Sequence, residues 1–258
     1  MEQKMTNLRA LPFEAKNIIA SRARMGLIAL ATDHVIEHEF NLLLQKIEGT
    51  QIYTTKVQMD PIVTRETLSD MESRLTAASE TLLPGNDFDV IGYGCTSASV
   101  VIGEEAVFKA IRLARPRVKI TTPISACIAA IKSSNSNRIG LLTPYIEEVN
   151  ILIRQYLEAR DIAVVKSATF AEINDNIAGM ITPESIRKVI TDVFSELDLD
   201  MIFISCTSLR AVNIIPELEN LLQIQVTSSN HALVWHMIRL GGIDDKIPEY
   251  GQLFTRQL

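Results

Sequence analysis

The chain is poor in cysteine, has no excess of basic charge and contains no long apolar run. Each absence removes a class of protein. Three cysteines in 258 residues is an odd number. Cys95, Cys127 and Cys206 also stand too far apart for a disulfide framework or the common zinc spacings. A formal net charge of −6 argues against a nucleic-acid binder, which would carry an excess of Lys and Arg. No stretch approaches the ~20 apolar residues of a membrane helix. The longest candidate, Val90 to Gly103, is short and rich in Gly, Ser and Thr. The opening MEQKMTNLRA has no apolar segment after its charges, so no signal peptide is expected. A reducing cytoplasm with free thiols is the expected setting. Nucleotide motifs are missing too. There is no P-loop, and Gly92-Tyr-Gly94 lacks the third glycine and the in-register acidic residue of a dinucleotide fingerprint. His34 and His38 are four apart, but without HExxH or a third ligand they read as a solvated helix face. Neither metal nor cofactor is expected.

What is present is ordinary globular composition, 47% apolar and 22% charged, enough for a packed core. The length suits one large domain or two small ones.

Strand and helix signals alternate along the chain. Short β-rich runs occur at Met25 to Ala31, Gln51 to Val57, Asp89 to Tyr93 and Val118 to Thr121. Between them, Val35 to Lys46 carries a helical apolar stripe. Pro61 to Leu83 contains a helix ending near Pro84-Gly85, and Ala98 to Arg115 is helical up to Pro116. The second half repeats the order. Strands are expected at Arg138 to Leu142, Ile162 to Lys166, Asp200 to Ser205 and Ile224 to Thr227. Helices are expected from Glu147 to Ala159, from Thr182 to Leu197, between the last two strands, and from His231 to Leu240. Such alternation predicts βαβ units and parallel sheets.

The halves also match in sequence. Asp89-Val-Ile-Gly-Tyr-Gly-Cys95-Thr96-Ser97 aligns with Asp200-Met-Ile-Phe-Ile-Ser-Cys206-Thr207-Ser208. Met25-Gly-Leu-Ile aligns with Ile139-Gly-Leu-Leu. The fold expected is α/β: two similar Rossmann-like parallel-sheet domains related by a pseudo-twofold axis, with the active site in the cleft between them. The expected division is 1–122 plus 228–258 for the first half, with a returning C-terminal helix, and 123–227 for the second.

The repeated Cys-Thr-Ser carries the chemistry. Parallel sheets place ligands at the carboxyl ends of their strands. A helix beginning there would offer free N–H groups to an anion and lower a thiol's pKa. Thr and Ser after the Cys can cap that helix or donate to a substrate carboxylate. A pseudo-twofold would set Cys95 and Cys206 on opposite sides of one substrate, an arrangement suited to taking a proton from one face and giving it to the other. An isolated strand-end Cys is more often core filler. Two at equivalent places in a repeat are not easily explained that way. Cys127, in an apolar helix, is read as core. Tyr145, after Thr143-Pro144, and Thr32 and Asp33 also occupy strand ends. Asp33 has the simpler reading of a helix cap. Asn174 and Asn176 read as turn formers.

Gly94-Cys-Thr-Ser97, Leu142-Thr-Pro-Tyr-Ile-Glu-Glu-Val-Asn150, Ser205-Cys-Thr-Ser208 and Thr227-Ser-Ser-Asn-His-Ala-Leu-Val-Trp235 together resemble the aspartate/glutamate racemase superfamily. Within it the chain is most similar to the branch of maleate cis–trans isomerases and arylmalonate decarboxylases, from about Arg24 to Ile243. Ala31-Thr-Asp33 and Ser228-Ser-Asn-His231 further resemble ectoine-utilisation members of that branch. The resemblance implies a cofactor-independent enzyme, a dimer or larger, with Cys95 and Cys206 as the catalytic pair. It implies that Thr96, Ser97 and Tyr145 bind a substrate carboxylate, that Thr207 and Ser208 serve the second half-site, and that Asn176 contacts substrate. Two departures carry information. Decarboxylases of this branch have glycine at the first cysteine position, and this chain keeps both cysteines. Maleate isomerases have Asn where Asp33 stands.

These readings lead to a first expectation of a two-cysteine racemase or epimerase. It would act at the carbon α to the carboxylate of a small amino acid or N-acylamino acid, with Thr32 among the substrate-binding residues and Asp33 and Asn176 tuning selectivity. The alternative is a maleate-type cis–trans isomerase using covalent cysteine addition, with Asp33 against it. An arylmalonate-type decarboxylase and a non-catalytic small-acid binding protein rank below these. The expected partner is a small carboxylic acid, and neither nucleic acid nor membrane.

Overall fold

The computed structural model describes residues 9–16 and 19–258. Its strands are β1 (Ala23–Leu30), β2 (Thr50–Val57), β3 (Val90–Gly94), β4 (Lys119–Thr121), β5 (Arg138–Thr143), β6 (Ala163–Thr169), β7 (Met201–Ile204) and β8 (Gln225–Ser228). Its helices are α1 (Ile36–Leu44), α2 (Arg65–Ser69), α3 (Leu75–Thr81), α4 (Thr96–Ile102), α5 (Glu104–Ala114), α6 (Pro123–Ser133), α7 (Glu147–Glu158), α8 (Asp175–Ala178), α9 (Pro183–Phe194), α10 (Ile215–Leu222) and α11 (Ser229–Leu240). None of the described helices is long and apolar enough to cross a membrane.

The strands form two parallel four-stranded sheets, ordered β2-β1-β3-β4 and β6-β5-β7-β8. The second order is the first with every index raised by four, as a pseudo-twofold repeat requires. Helices on both faces explain why β1, β3 and β7 read as continuous apolar runs rather than alternating ones. The duplicated Asp of the repeat does the same work in each half. Asp89 Oδ2 accepts from Arg24 N–H at 2.7 Å, and Asp200 Oδ2 accepts from Asn137 and Arg138 N–H at 2.7 and 2.8 Å. Each carboxylate thus sets the register at the start of its sheet's inner strands.

Close packing around β3 selects glycine. A Cβ on Gly92 would lie 2.7 Å from Met237 Sδ on α11, and one on Gly94 would lie 2.5 Å from Ile36 Cδ1 on α1. These approaches bring α11 and α1 against the strand that ends at Cys95.

The structure departs from the sequence reading in places. The helix expected from Ala98 to Arg115 is two helices, because Gly103 takes φ +88° and breaks the turn. The helix expected within Pro61 to Leu83 is likewise split into α2, a 3₁₀ turn at Glu72–Arg74 and α3. Helix α6 packs on α11, α4 and β3, covering the sheet it has just left. Helix α11 follows β8 yet lies on β3 and β4 of the first sheet.

Two histidines are locked into this C-terminal packing. His231 Nε2 bonds the Tyr250 carbonyl at 2.7 Å and its Nδ1 the Thr227 hydroxyl at 3.0 Å; His236 Nδ1 bonds the Thr121 hydroxyl at 2.7 Å. Burial pushes both imidazoles down from 6.5 to about 4. The unfolded chain therefore binds more protons than the folded one below about pH 6.5. Each histidine's contribution is complete above that pH and is lost as pH falls toward 4, about 3 kcal/mol apiece at ~1.4 kcal/mol per pH unit. The expected result is a steep fall in the urea midpoint across this range, with a shallower fall in His231→Gln. An unchanged slope in the variant would remove His231 from the account.

Candidate active site

Cys95 and Cys206 stand where β3 and β7 end, one in each half, and both are 3% exposed. Cys95 is the N-cap of α4, with an extended backbone at φ −146° and ψ 117°; its Sγ accepts from Ala98 N–H at 3.4 Å. The second motif is not the expected copy. After β7 the chain runs through a turn, and regular helix resumes only with the 3₁₀ segment Val212–Ile214 and α10. Cys206 Sγ therefore accepts from a turn amide, Ser208 N–H at 3.4 Å, rather than from a helix N-terminus.

The two motifs interlock. Thr207 Oγ1 donates to the Gly94 carbonyl, just before Cys95, at 3.3 Å. Ser229, the first residue of α11, accepts from Cys206 N–H at 3.0 Å and is hydrogen bonded to the Thr96 hydroxyl at 2.7 Å. One serine thus ties both cysteine loops together. Ser97 Oγ lies 3.7 Å from Cys95 Sγ. Burial raises the Tyr145 phenol well above its ordinary range, and negative charge on either thiol would raise it further, so the group stays a hydrogen-bond donor beside them.

The thiols are also not activated as the sequence suggested. Burial pushes Cys95 up to about 12, outweighing the Ala98 amide and the Ser97 hydroxyl, which favour the thiolate. Burial raises Cys206 as well, with Asp175 next and Tyr145 acting in the opposite sense. A helix N-terminus lowers a thiol's pKa only when solvation is not lost at the same time. Cys127, buried within α6, is raised by burial alone, as core filler would be.

Two carboxyl groups face this pair. Asp33 follows β1, and its Oδ1 accepts from Val35 and Ile36 N–H at 2.8 and 2.9 Å, so it holds the start of α1 from two residues before the N-cap, Val35. Its Oδ2 makes no hydrogen bond of normal geometry, although the Thr207 hydroxyl lies near enough to favour the carboxylate. Burial raises its pKa, and Asp175 adds to the rise. Asp175 opens α8 and is 4% exposed. Its Oδ2 accepts from Thr32 Oγ1 at 2.6 Å and its Oδ1 from Ser208 Oγ at 2.8 Å, linking the two halves. Asn176 does not enter the site. It is exposed, with its backbone N–H on Asn174 Oδ1 at 3.0 Å. Neighbours on a helix point about 100° apart, so only one side chain of this short turn can face inward, and that one is Asp175. No sequence motif singled Asp175 out.

Glu39 was missed as well. From α1 its Oε1 accepts from Ala211 and Val212 N–H at 2.7 and 2.9 Å, and its Oε2 from Asn230 Nδ2 at 2.8 Å. Asn230 Nδ2 also donates to the Thr207 carbonyl at 2.7 Å. This network holds the Cys206 loop from the first half. Its one sequence signal is an acidic residue beside Phe40, within the apolar stripe of α1.

Of the residues expected from sequence, Cys95, Cys206, Thr32, Asp33, Thr96, Ser97, Tyr145, Thr207 and Ser208 converge here. The segments after β2 and β6 close over them, through an antiparallel bridge between Ile62 and Asn174 and through Asp175 N–H on the Pro61 carbonyl at 2.9 Å. A surface groove of about 690 Å³ lined by Ser69, Arg74, Lys109 and Leu113 touches none of them. Among the described residues no cluster of His, Cys, Asp and Glu could hold a metal ion.

The sequence profile of the arylmalonate decarboxylases matches residues 63–254. The chain belongs to the arylmalonate decarboxylase family. Within this family and its relatives, the chain is 27% identical to the arylmalonate decarboxylase of Bordetella bronchiseptica over 136 residues, 52% of this chain and 57% of that protein. The match thus spans little more than half the length of that decarboxylase. It is 21% identical to a maleate isomerase of Nocardia farcinica over 243 residues, 90% of this chain and 96% of that one. The fold also matches a solved structure of the Nocardia farcinica maleate cis–trans isomerase, a cysteine-to-serine mutant with a covalently bound succinylcysteine intermediate. The TM-score is 0.82 at 20% identity, covering 90% of this chain and 98% of that one. These family members and relatives are enzymes.

Proposed function

We propose that this protein is an isomerase of a small unsaturated carboxylic acid, working through Cys95 and Cys206 without a cofactor. The observation that carries the proposal is the pair of buried thiols, one from each half, held about one site by Ser229, Thr207 and Thr96. The reading is supported by full-length similarity to maleate isomerases and by the covalent cysteine adduct in one of them. Whereas Cys206 accepts from a turn amide, Cys95 caps the N-terminus of α4 through its Sγ and is assigned as the nucleophile. Its sulfur adds to one carbon of the conjugated double bond. The thiol proton of Cys206 passes to the adjacent carbon. The former double bond, now single, rotates. Cys206 takes the proton back as the Cys95–carbon bond breaks, releasing the trans acid and regenerating the thiolate. Ser97, Thr96 and Tyr145 hold the carboxylate, and Thr207 and Ser208 serve the opposite end.

A second reading, proton exchange at the carbon α to a carboxylate, is favoured by one observation. Asp33 and Asp175 would repel a dianion, and like charges ~4 Å apart near a protein surface repel by about 4 kcal/mol. Proton NMR in D₂O separates the two, with maleate, cis-4-aminocrotonate and a panel of amino and N-acetylamino acids. Cysteine-dependent appearance of a trans acid, fumarate or trans-4-aminocrotonate, is the result expected from the first reading. Loss of an α-proton signal without double-bond isomerisation would replace it with the second. No cysteine-dependent change across the panel, in protein with an intact fold, would sink both and leave the non-catalytic acid-binding reading.

A further inference from the structure

Building on the two-cysteine site proposed above, we infer that its ligand carries a positively charged nitrogen at the end opposite its carboxylate, received jointly by Asp33 and Asp175. The two residues come from different halves, one after β1 and one at the start of α8, and are 3% and 4% exposed. Asp175 accepts from Ser208, two residues after Cys206, and Asp33 follows β1, the neighbour of the strand leading to Cys95; both also act electrostatically on both thiols. Among the described residues neither forms an ion pair. Lys56 pairs with Glu37 Oε2 at 2.6 Å and touches Asp33 through its backbone carbonyl, at 3.1 Å.

Each carboxyl group accepts hydrogen bonds from the protein. Asp33 Oδ1 takes two backbone amides, and Asp175 takes two hydroxyls. Asp33 Oδ2 is the exception: it is buried and makes no hydrogen bond of normal geometry, the nearby Thr207 hydroxyl donating instead to the Gly94 carbonyl. A buried carboxylate oxygen with no partner is unfavourable, and two carboxylates at one site are more so. An ammonium brings three N–H donors and one positive charge, which satisfies that oxygen and balances the pair. A second carboxylate in the same place would bring a third anion and no donor.

The same geometry couples binding to chemistry. The two carboxylates disfavour the thiolates beside them. A cation seated between them cancels that influence, so the right ligand eases ionisation of its own nucleophile. A dianion does the reverse. Selectivity against dianions would then show in turnover as well as in affinity.

The test uses three probes of one carbon skeleton with the full-length protein: maleate, maleamate and cis-4-aminocrotonate. Binding is read as protection of Cys95 and Cys206 from iodoacetamide, followed by peptide mass spectrometry, and turnover by proton NMR. The expected result is at least about tenfold tighter binding of cis-4-aminocrotonate than of maleate, with maleamate between. Asp33→Asn and Asp175→Asn should each narrow or reverse that order by about tenfold while the protein stays folded by circular dichroism. Tighter binding of maleate by the wild type would overturn the inference, and would mean that Asp33 is protonated and donates. Failure of cis-4-aminocrotonate to protect either cysteine would overturn it as well. Charge-selective protection without turnover of any probe would instead uphold the inference and count against the isomerase reading.

Discussion

Replacing Cys95 or Cys206 by serine lowers turnover by about a thousandfold or more, and the double variant is no worse than either single one. Acid–base groups of this kind contribute roughly 10²- to 10⁴-fold, and members of one catalytic unit are not additive. Serine preserves the size of the side chain and its contacts with Ala98 and Ser208, so the loss reports chemistry rather than packing. The two variants should differ in what they accumulate. In Cys206→Ser the nucleophile is intact and water can protonate the adjacent carbon, but the group that takes that proton back for elimination is gone, so a covalent adduct on Cys95 persists. Intact-protein mass spectrometry would show it as a gain equal to the mass of the acid. Cys95→Ser should show none. An adduct found only in Cys95→Ser would reverse the two roles. Full activity in either variant would end the paired-cysteine mechanism. Cys127→Ser is the control: Cys127 is buried in α6 away from the site, and its loss should leave turnover unchanged in the folded protein.

Glu39→Ala should cost roughly 3–5 kcal/mol of stability and most of the activity. The carboxylate satisfies the Ala211 and Val212 amides and one Asn230 N–H, all buried. Deleting it leaves these donors without partners, and each such loss costs about 1–3 kcal/mol, less where the loop relaxes. The activity falls because Asn230 and the 211–212 backbone hold the loop that carries Cys206 and Thr207. Glu39→Gln keeps one oxygen for the two amides and should lose much less. The pair also carries a pH signature. Burial raises Glu39 from 4.5 to about 7, so the folded state holds this proton more tightly than the unfolded chain. Its contribution is therefore greatest below about pH 4.5 and declines as pH rises to 7, by about 3 kcal/mol at ~1.4 kcal/mol per unit. This runs opposite to the two histidines, whose larger combined effect sets the overall slope in acid. Urea unfolding near pH 5 and near pH 8 checks it: the wild type should lose stability relative to Glu39→Gln on going to the higher pH. A constant difference would mean that Glu39 does not titrate in this range.

Local patterns determined much of this protein. Strand positions came from β-rich runs ending in small residues. The parallel sheets followed from their alternation with helices, and the twofold repeat from matching Asp89–Ser97 with Asp200–Ser208. All of these are read within short windows, where periodicity and strand ends leave direct marks. The two cysteines were legible for the same reason, as strand-end residues occurring twice. What the tertiary structure decided depends on contacts between residues far apart in the chain. Glu39 meets Ala211 and Val212 across more than 170 positions, and Thr32 meets Asp175 across 143. No local pattern marks such partners. Whether Asp175 or Asn176 faces inward turns on the rotation of a four-residue helix against the other half. The ionisation of the thiols was beyond sequence for a related reason. A helix N-terminus is a local feature that favours thiolate, whereas closure of one half over the other removes water from both sulfurs, and that loss of solvation is the larger effect.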